Sequence, residues 1–172
     1  SEHRDRLPVL TEPNMALTPA IKILIAIVSS LVLGSLSGLL TIDAINGWYA
    51  SLAKPSFNPP NWVFGPAWTL LYFLMGLAAG LVWRAESDAA LKRKALLSYA
   101  VQLGLNMIWT LIFFGLKAPA IALVEIVLLW IAIVWCVRSF RPVHALAAYL
   151  LVPYLLWVTF ASVLNAAIVV LN

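Results

Sequence analysis

Charged side chains are scarce in this sequence, and their scarcity excludes a water-soluble protein. Only 10% of the 172 residues are Asp, Glu, Lys or Arg, whereas a soluble domain carries roughly 25%. Hydrophobic residues make up 63% of the chain, and the mean hydropathy is +0.97. Because a surface with so few charges faces lipid rather than water, we expect an integral membrane protein.

Cysteine and histidine, the usual ligands of transition metals, are also nearly absent. The single cysteine, Cys136, excludes an intramolecular disulfide and a thiolate cluster. The two histidines, His3 and His144, lie in the N-terminal tail and at the start of the last apolar stretch. The sequence offers no carboxylate pair, nucleophile–base pair or phosphate-binding loop. We therefore expect no metal site, no required cofactor and no conventional catalytic group.

Five apolar stretches are each long enough to cross a membrane as a helix, which takes about 20 residues. Their continuous apolar character excludes strands, in which apolar and polar residues would alternate. The sequence thus predicts an all-α membrane protein, a bundle of five transmembrane helices over residues 19–172, with the fifth kinked at Pro153. Residues 1–18 are predicted to form a polar tail of no assigned function, whose part ahead of Met15 is either native or added. The predicted spans are 19–42, 62–84, 95–116, 119–139 and 143–170.

Basic residues are distributed unevenly between the two ends of the predicted bundle. Nine lysines and arginines lie on the side of the N-terminus, and only Lys54 and Lys117 lie on the other. Because positive charge concentrates in cytoplasmic segments, this predicts a cytoplasmic N-terminus and an outside C-terminus in a bacterial cell membrane. The same residues stand between apolar runs rather than on one face, which argues against nucleic-acid binding.

The connection 43–61 is the only sizeable one on the outer side, and it contains three prolines together with Trp48, Tyr49 and Phe57. Long loops in compact bundles are usually functional covers or disordered segments. The aromatic and proline content favours an ordered lid over the outer end of the bundle.

Amides and aromatic side chains share one depth beneath this predicted lid. The helix directions place Trp68, Asn106, Trp109 and Trp157 in the outer half of the membrane. Amides at that depth should face the bundle interior, since lipid offers them no partner. Aromatic residues on the same helical stripes should then line an internal cavity, with ordinary packing as the alternative. The tryptophans nearer the helix ends are assigned to an interfacial belt, and they are Trp48, Trp62, Trp83 and Trp135.

Two further features leave alternatives open. Glu125 is the only acid well inside a span, where it is either a functional carboxylate or a protonated side chain hydrogen-bonded to a neighbouring helix. Small residues recur at four-residue intervals in the first two helices, a pattern that permits close helix contact within the chain or in a dimer. They are Ser30, Gly34 and Gly38, and Gly76 and Gly80.

Three long motifs resemble a known family. They are WYASLAKPSFNPPNWVFGPAWTLLYFLMGLAAGLVWR at 48–84, QLGLNMIWTLIFFG at 102–115 and VPYLLWVTFASVLNAAI at 152–168. The chain is similar over about residues 19–171 to bacterial-type members of the tryptophan-rich sensory protein/translocator protein family (TspO/MBR), also called the peripheral-type benzodiazepine receptor family. The resemblance implies five helices with a ligand cavity under the first loop, and a homodimer.

The resemblance also implies ligands and site residues. The ligands are porphyrins, especially protoporphyrin IX, and synthetic isoquinoline carboxamide and benzodiazepine-type compounds. Trp68 and Trp157 match tryptophans implicated in light-dependent porphyrin degradation by some bacterial members. Lys54 stands where it could meet a porphyrin propionate at the rim. The cavity residues implied by motif matching are Tyr49, Pro59, Phe64, Trp68, Asn106, Trp109, Trp157 and Ala161.

One stretch departs from the animal members of that family. Their cholesterol-recognition pattern ends the fifth helix with Leu, Tyr and Arg, whereas Leu164 is followed here by Ala167 and Val170. Three functions follow as expectations: a porphyrin-binding protein with a sensing, regulatory or transport role, a photo-oxidative porphyrin-degrading catalyst, and a sterol or lipid carrier. The departure weakens the third.

Overall fold

The computed structural model describes residues 15–172, and nearly all of that part of the chain is helical. Among those residues there is no strand. Short π-helical turns extend two of the helices, Ile45–Tyr49 after α1 and Leu111–Gly115 after α3. The helices are α1 Pro19–Ala44, α2 Asn61–Arg84, α3 Ala89–Thr110, α4 Pro119–Phe140, α5 Ala145–Leu150 and α6 Val152–Leu171.

Five segments of the described chain are long and apolar enough to span a membrane, so the predicted five-helix membrane fold is confirmed. The fifth span joins α5 and α6. The predictions that concern the tail before Met15, including His3, lie outside the described residues. The five spans are Pro19–Tyr49, Asn61–Arg84, Ala89–Gly115, Pro119–Phe140 and Ala145–Leu171.

The predicted lid, 43–61, begins too early, because residues 43–49 are still helical in the structure. The first span continues to Tyr49 because residues 45–49 keep helical hydrogen bonding in the wider π form. What remains between the helices is residues 52–60, hereafter the lid. Trp48 and Tyr49 therefore belong to the end of a helix and have fixed positions.

Two other boundaries have local causes. The third helix begins at Ala89, six residues before the prediction, because the Asp88 carboxylate accepts hydrogen bonds from the amides of Ala90 and Leu91 at 3.0 and 3.1 Å. Hydropathy missed this first turn because it is polar and charged. The kink expected at Pro153 is present as a break at Leu151, where α5 ends and α6 begins.

Helices α1 and α2 are in close contact in their inner halves, where inner denotes the end of the bundle at which α1 begins and outer the end that carries the lid. A Cβ atom added at Gly76 would lie 2.6 Å from the Ile27 Cα, and one at Gly80 would lie 2.7 Å from the Ile23 Cα. Glycine is required at both positions because the backbones approach so closely. Gly76 and Gly80 thus serve packing within the chain, whereas Gly38 meets no atom within 4 Å of an added Cβ and a dimer stays a prediction.

Several polar side chains outside the core are paired by their own helices or by a neighbour. The hydroxyls of Thr69 and Thr159 donate to the carbonyl four residues back, at 2.9 and 2.8 Å. The Trp130 indole N–H donates to the Thr159 hydroxyl at 2.8 Å and links α4 to α6. Such pairing is needed because lipid cannot hydrogen-bond these groups.

A cavity in the outer half of the bundle

A cavity of about 500 Å³ lies in the outer half of the bundle, among α1, α2, α3 and α6. Its volume falls in the range of small-molecule sites, roughly 300–1,000 Å³. The four helices contribute stripes of small, aromatic and amide side chains to its wall. The lining residues include Ser35, Gly38, Ile42, Asn46, Tyr49, Asn61, Trp62, Phe64, Gly65, Trp68, Thr69, Tyr72, Asn106, Trp109, Trp157, Ala161 and Asn165.

Seven of the eight cavity residues implied by the family motifs surround this one space. They are Tyr49, Phe64, Trp68, Asn106, Trp109, Trp157 and Ala161. The eighth, Pro59, is not among the lining residues; it lies in the lid, partly buried, two residues before α2 begins. Its position there fixes an extended chain at the entry to α2 rather than a contact with the cavity.

Aromatic rings form one continuous wall. The Trp68 and Trp157 rings meet edge to face, with centroids 6.3 Å apart and planes at 83°. Phe64 packs on Trp157 at 6.3 Å, and Trp68 packs on Tyr72 at 5.9 Å. Edge-to-face contact directs the negative ring faces and positive ring edges toward one another, which stabilises this arrangement. The wall offers a flat aromatic ligand both ring faces and ring edges.

The floor of the cavity is a buried hydrogen-bonded triad. The Tyr72 hydroxyl donates to the Asn106 Oδ1 at 2.6 Å, and the Asn106 Nδ2 donates to the Tyr154 hydroxyl at 2.8 Å. Asn106 is only 1% exposed and joins α2, α3 and α6 through these two bonds. An Asn side chain has two donors and an acceptor oxygen with two lone pairs, so one hydrogen and one lone pair remain beyond these bonds. The main role of Asn106 in the structure is to brace three helices.

A second amide fixes the opposite wall. The Trp109 indole N–H donates to the Asn165 Oδ1 at 3.2 Å, and the Asn165 Nδ2 donates to the Pro119 carbonyl at 2.8 Å. Trp109 also stacks on Phe113 at 5.1 Å with planes 25° apart. The Trp109 ring is therefore held in one orientation by α3, α4 and α6 together.

The lid is held down by hydrogen bonds at three points. The Tyr49 hydroxyl donates to the Asn58 Oδ1 at 2.6 Å. The Lys54 ammonium donates to the carbonyls of Tyr49, Ala50 and Leu52 at 2.9–3.2 Å, which places its charge at the end of the first helix. The Asn172 amide pairs with both backbone groups of Ala53, at 3.0 and 2.9 Å.

These bonds change the expectation for Lys54. An ammonium group has three hydrogens, and three backbone carbonyls, two at the end of the first helix and one in the lid, already accept from this one. Lys54 is also absent from the cavity lining. Its side chain therefore anchors the lid and is not placed to meet a ligand carboxylate.

Comparison with known proteins agrees with this architecture. The model of the TspO/MBR family matches residues 8–171. The chain belongs to the TspO/MBR family. It is 42% identical over 154 residues, 88% of this chain and 97% of the other, to a tryptophan-rich protein TspO of Archaeoglobus fulgidus. It is 46% identical to a tryptophan-rich protein TspO of Chlorobaculum tepidum over 125 residues, 73% of this chain and 79% of the other. It is 43% identical to the translocator protein of Homo sapiens over 119 residues, 69% of this chain and 70% of the other.

The cavity of this TspO/MBR family member is uncharged and retains unused donors. No Asp, Glu, Lys or Arg within residues 15–172 lines it. The indole N–H groups of Trp68 and Trp157 have no acceptor in the described part of the chain, and they are not among its buried unpaired atoms. They are therefore free to donate to a ligand. The site can hold a largely apolar molecule that carries a few hydrogen-bond acceptors.

The wall contributed by α1 was missed by the sequence reasoning. Ser35, Gly38, Ile42 and Asn46 line the cavity along one face of that helix. Their spacing of three, four and four residues is the helical signal that could have identified the face. Hydropathy concealed it, because the first span is among the most apolar in the chain and few of its side chains are polar.

Several polar residues at other positions do not reach the cavity. Glu125 is buried on the packed face of α4 but does not line it, and neither carboxylate oxygen has a partner among the described residues. The prediction that Glu125 is hydrogen-bonded to a neighbouring helix is therefore wrong for the described part of the chain. His144 caps α5, with its Nδ1 accepting from the Ala147 amide at 3.3 Å. Cys136 is fully buried in α4 near its inner end.

Two of the four tryptophans assigned to an interfacial belt have contrasting surroundings. Trp83 lies at the inner end of α2 with the Lys22 ammonium 5.9 Å from its ring centroid, which fits an interfacial position. Trp62 is 74% exposed and yet belongs to the cavity lining. It stands where the cavity meets the surroundings of the protein.

Proposed function

We propose that this membrane protein binds porphyrins, protoporphyrin IX and related tetrapyrroles, in the cavity and has a sensing or regulatory role in tetrapyrrole metabolism. The observation that carries the proposal is the Trp68–Trp157 wall with its two free indole N–H groups. A porphyrin is a flat aromatic macrocycle, so ring contacts and apolar burial would supply most of its binding free energy. Isoquinoline and benzodiazepine-type compounds, which also carry aromatic rings, are expected to compete for the site.

The names of the relatives support a role in recognition rather than in ordinary metabolism. One relative, from Cereibacter sphaeroides, is a tryptophan-rich sensory protein and is 44% identical over 125 residues. The human relative is a translocator protein. A sensor and a translocator both require a site that binds and releases a ligand. The cavity described here meets that requirement.

Titration with protoporphyrin IX tests the proposal. The porphyrin is expected to quench tryptophan fluorescence saturably, because the excited indoles of Trp68 and Trp157 would touch it. Replacing both with alanine should weaken binding at least tenfold, which corresponds to ~1.4 kcal/mol. The control removes two tryptophans that do not line the cavity, Trp83 and Trp135, and should leave the affinity unchanged. Quenching that stays linear, or an equal loss in both double variants, would contradict the proposal.

Light-dependent degradation of the bound porphyrin is the second candidate. It is favoured by the direct contact of Trp68 with Trp157, since both oxidisable rings lie on the proposed binding wall. Product analysis of the porphyrin complex, kept dark or illuminated, distinguishes binding from degradation. A porphyrin recovered intact from both samples excludes the catalyst.

We further propose an orientation and an assembly. Seven lysines and arginines of the described chain lie at the end where α1 begins, against Lys54 and Lys117 at the other. This asymmetry supports a cytoplasmic N-terminus in a bacterial cell membrane, which reporter fusions at the two ends can check. A homodimer stays a prediction; the small residues that contact α1 from α2 are not available to its interface, because they are covered within the chain.

A further inference from the structure

The exposed part of the cavity wall belongs to two neighbouring helices. Every lining residue that is exposed at the protein surface lies in α1 with its π-helical extension or in α2. The lining residues of α3 and α6 are buried or partly buried. The cavity therefore opens sideways, through the gap between α1 and α2. The exposed residues are Ser35, Ile42 and Asn46 on one side and Asn61, Trp62, Gly65 and Thr69 on the other.

Glycine contacts explain why this gap exists. At the inner end, Gly76 and Gly80 bring the backbones of α1 and α2 together. In the outer half, a Cβ added at Gly38 or Gly65 would meet no atom within 4 Å. The two helices thus diverge from a closed inner end to an open outer end. From Ser35 to Asn46 the gap follows about three turns of α1, at 3.6 residues per turn, so it faces the hydrocarbon region of the membrane.

A route into the cavity through the lid, by contrast, is closed by hydrogen bonds. Lifting the lid would break the Tyr49–Asn58 bond, the pair between Asn172 and Ala53, and the two bonds from Lys54 to Tyr49 and Ala50. Among the exposed lining residues of the described chain, no side-chain hydrogen bond joins α1 to α2; the Thr69 hydroxyl donates within its own helix. A ligand arriving from the side would displace only lipid.

We propose that the gap between α1 and α2 is a lateral portal through which a flat, membrane-dissolved aromatic ligand enters the cavity directly from the bilayer. The inference rests on the proposed function, because it assigns the entry route for the same cavity. Asn46 and Asn61 are exposed at the two edges of the portal. Their amides lie where the polar substituents of a bound amphiphile would remain while its apolar rings contact Trp68 and Trp157.

Binding kinetics of protoporphyrin IX test the portal, with the protein in lipid nanodiscs and the porphyrin supplied from vesicles. Gly65→Phe places a ring in the gap and should slow association and dissociation together, by about tenfold or more, as expected for a blocked path rather than a lost contact. Asn46→Phe, on the opposite edge, provides an independent second block. The matched control is Gly104→Phe, since Gly104 is also exposed with no atom within 4 Å of an added Cβ, but it does not line the cavity.

A lid variant separates the two routes. Asn172→Ala removes the pair with Ala53 and should leave both rates at the wild-type value if the ligand enters between the helices. Wild-type association in both Gly65→Phe and Asn46→Phe, or faster association in Asn172→Ala, would overturn the portal. Absence of saturable binding to the wild-type protein would instead refute the proposed function itself, so the two failures are distinguishable.

Discussion

The polar side chains of this bundle are of two kinds: those whose hydrogen-bonding groups are paired within the protein, and those that keep an unpaired donor. Asn106 and Asn165 are each bonded to two neighbours and brace the helices around the cavity. The indole N–H groups of Trp68 and Trp157 have no protein acceptor within residues 15–172 and remain for a ligand. Because these two N–H groups are not among the buried unpaired atoms, a ligand acceptor that pairs with one of them would add only the net free energy of a hydrogen bond, about 0.5–1.5 kcal/mol.

The strongest candidates for an axial metal ligand lie at the other end of the molecule. His144 caps α5 and Cys136 is buried toward the inner end of α4, whereas the cavity lies in the outer half. We therefore predict that metal-free protoporphyrin IX and haem bind with similar affinity, and that His144→Ala changes neither. Parallel titrations of both porphyrins on the two proteins provide the measurement. Tenfold tighter haem binding that disappears in His144→Ala would place the site at the inner end.

The positions of single residues could be predicted where they depend on depth in the membrane and on the helical face. The amide rule and the family motifs identified seven residues that the structure brings to one cavity. Lys54 could not be placed in the same way, because its partners are backbone carbonyls. These carbonyls are available as acceptors only because the first helix ends at that point. The position of Pro59 outside the cavity lining could not be predicted for a similar reason. A family motif indicates that a residue is important, but not whether it contacts the cavity or shapes the chain.

At the scale of elements, the contact of α1 with α2 determines the shape of the cavity. Glycine at 76 and 80 closes the inner half, and the helices separate above Gly34, whose added Cβ would lie 2.4 Å from the Tyr72 ring. The Tyr72 ring occupies the space at this point and separates the packed inner half from the cavity. The small-residue spacing was visible in the sequence, but its partner helix was not.

The substitution Gly76→Ala tests the close contact. Its added Cβ would overlap the α1 backbone at Ile27, so we expect it to lower the free energy of unfolding by about 1–3 kcal/mol, the usual cost of overpacking. The matched control, Gly104→Ala, meets no atom and should be neutral or stabilise α3 by about 0.5–1 kcal/mol. Unfolding in a fixed detergent measures both. Equal stabilities of the two variants would show that α1 and α2 are not in contact there.

Helix boundaries were predictable where hydropathy changes sharply and not where local bonding decides them. The start of α4 at Pro119 coincides with the prediction, because proline fits the first turn of a helix. The polar first turn of α3 and the π-helical end of the first span were not predicted. In both cases hydrogen bonds, at Asp88 and at residues 45–49, extend a helix into sequence whose hydropathy favours a loop.

The molecule as a whole is a lipid-exposed bundle that reserves its polar and aromatic groups for one internal space. Its lipid-facing surface carries aliphatic side chains such as Leu36, Val124 and Leu156, while several amides and four of the tryptophans line the cavity. The sequence predicted this division from the depth and helical face of the amides, since lipid cannot satisfy polar groups. The sideways opening of the cavity depends on the spread of two helices and could be seen only in the structure.

The central claim, that porphyrin occupies this cavity, is tested most directly by filling the cavity and counting the bound ligand. Ala161 lines the space next to the Trp157 wall, and Ala161→Phe would occupy part of it. Val163→Phe is the control, because Val163 is 55% exposed on the same helix and does not line the cavity. The measurement is the amount of protoporphyrin IX retained per chain by nanodisc-embedded protein at equilibrium. We predict about one porphyrin per chain for the wild type and Val163→Phe, and at least tenfold weaker binding, ~1.4 kcal/mol, for Ala161→Phe. Full retention by Ala161→Phe would contradict the account.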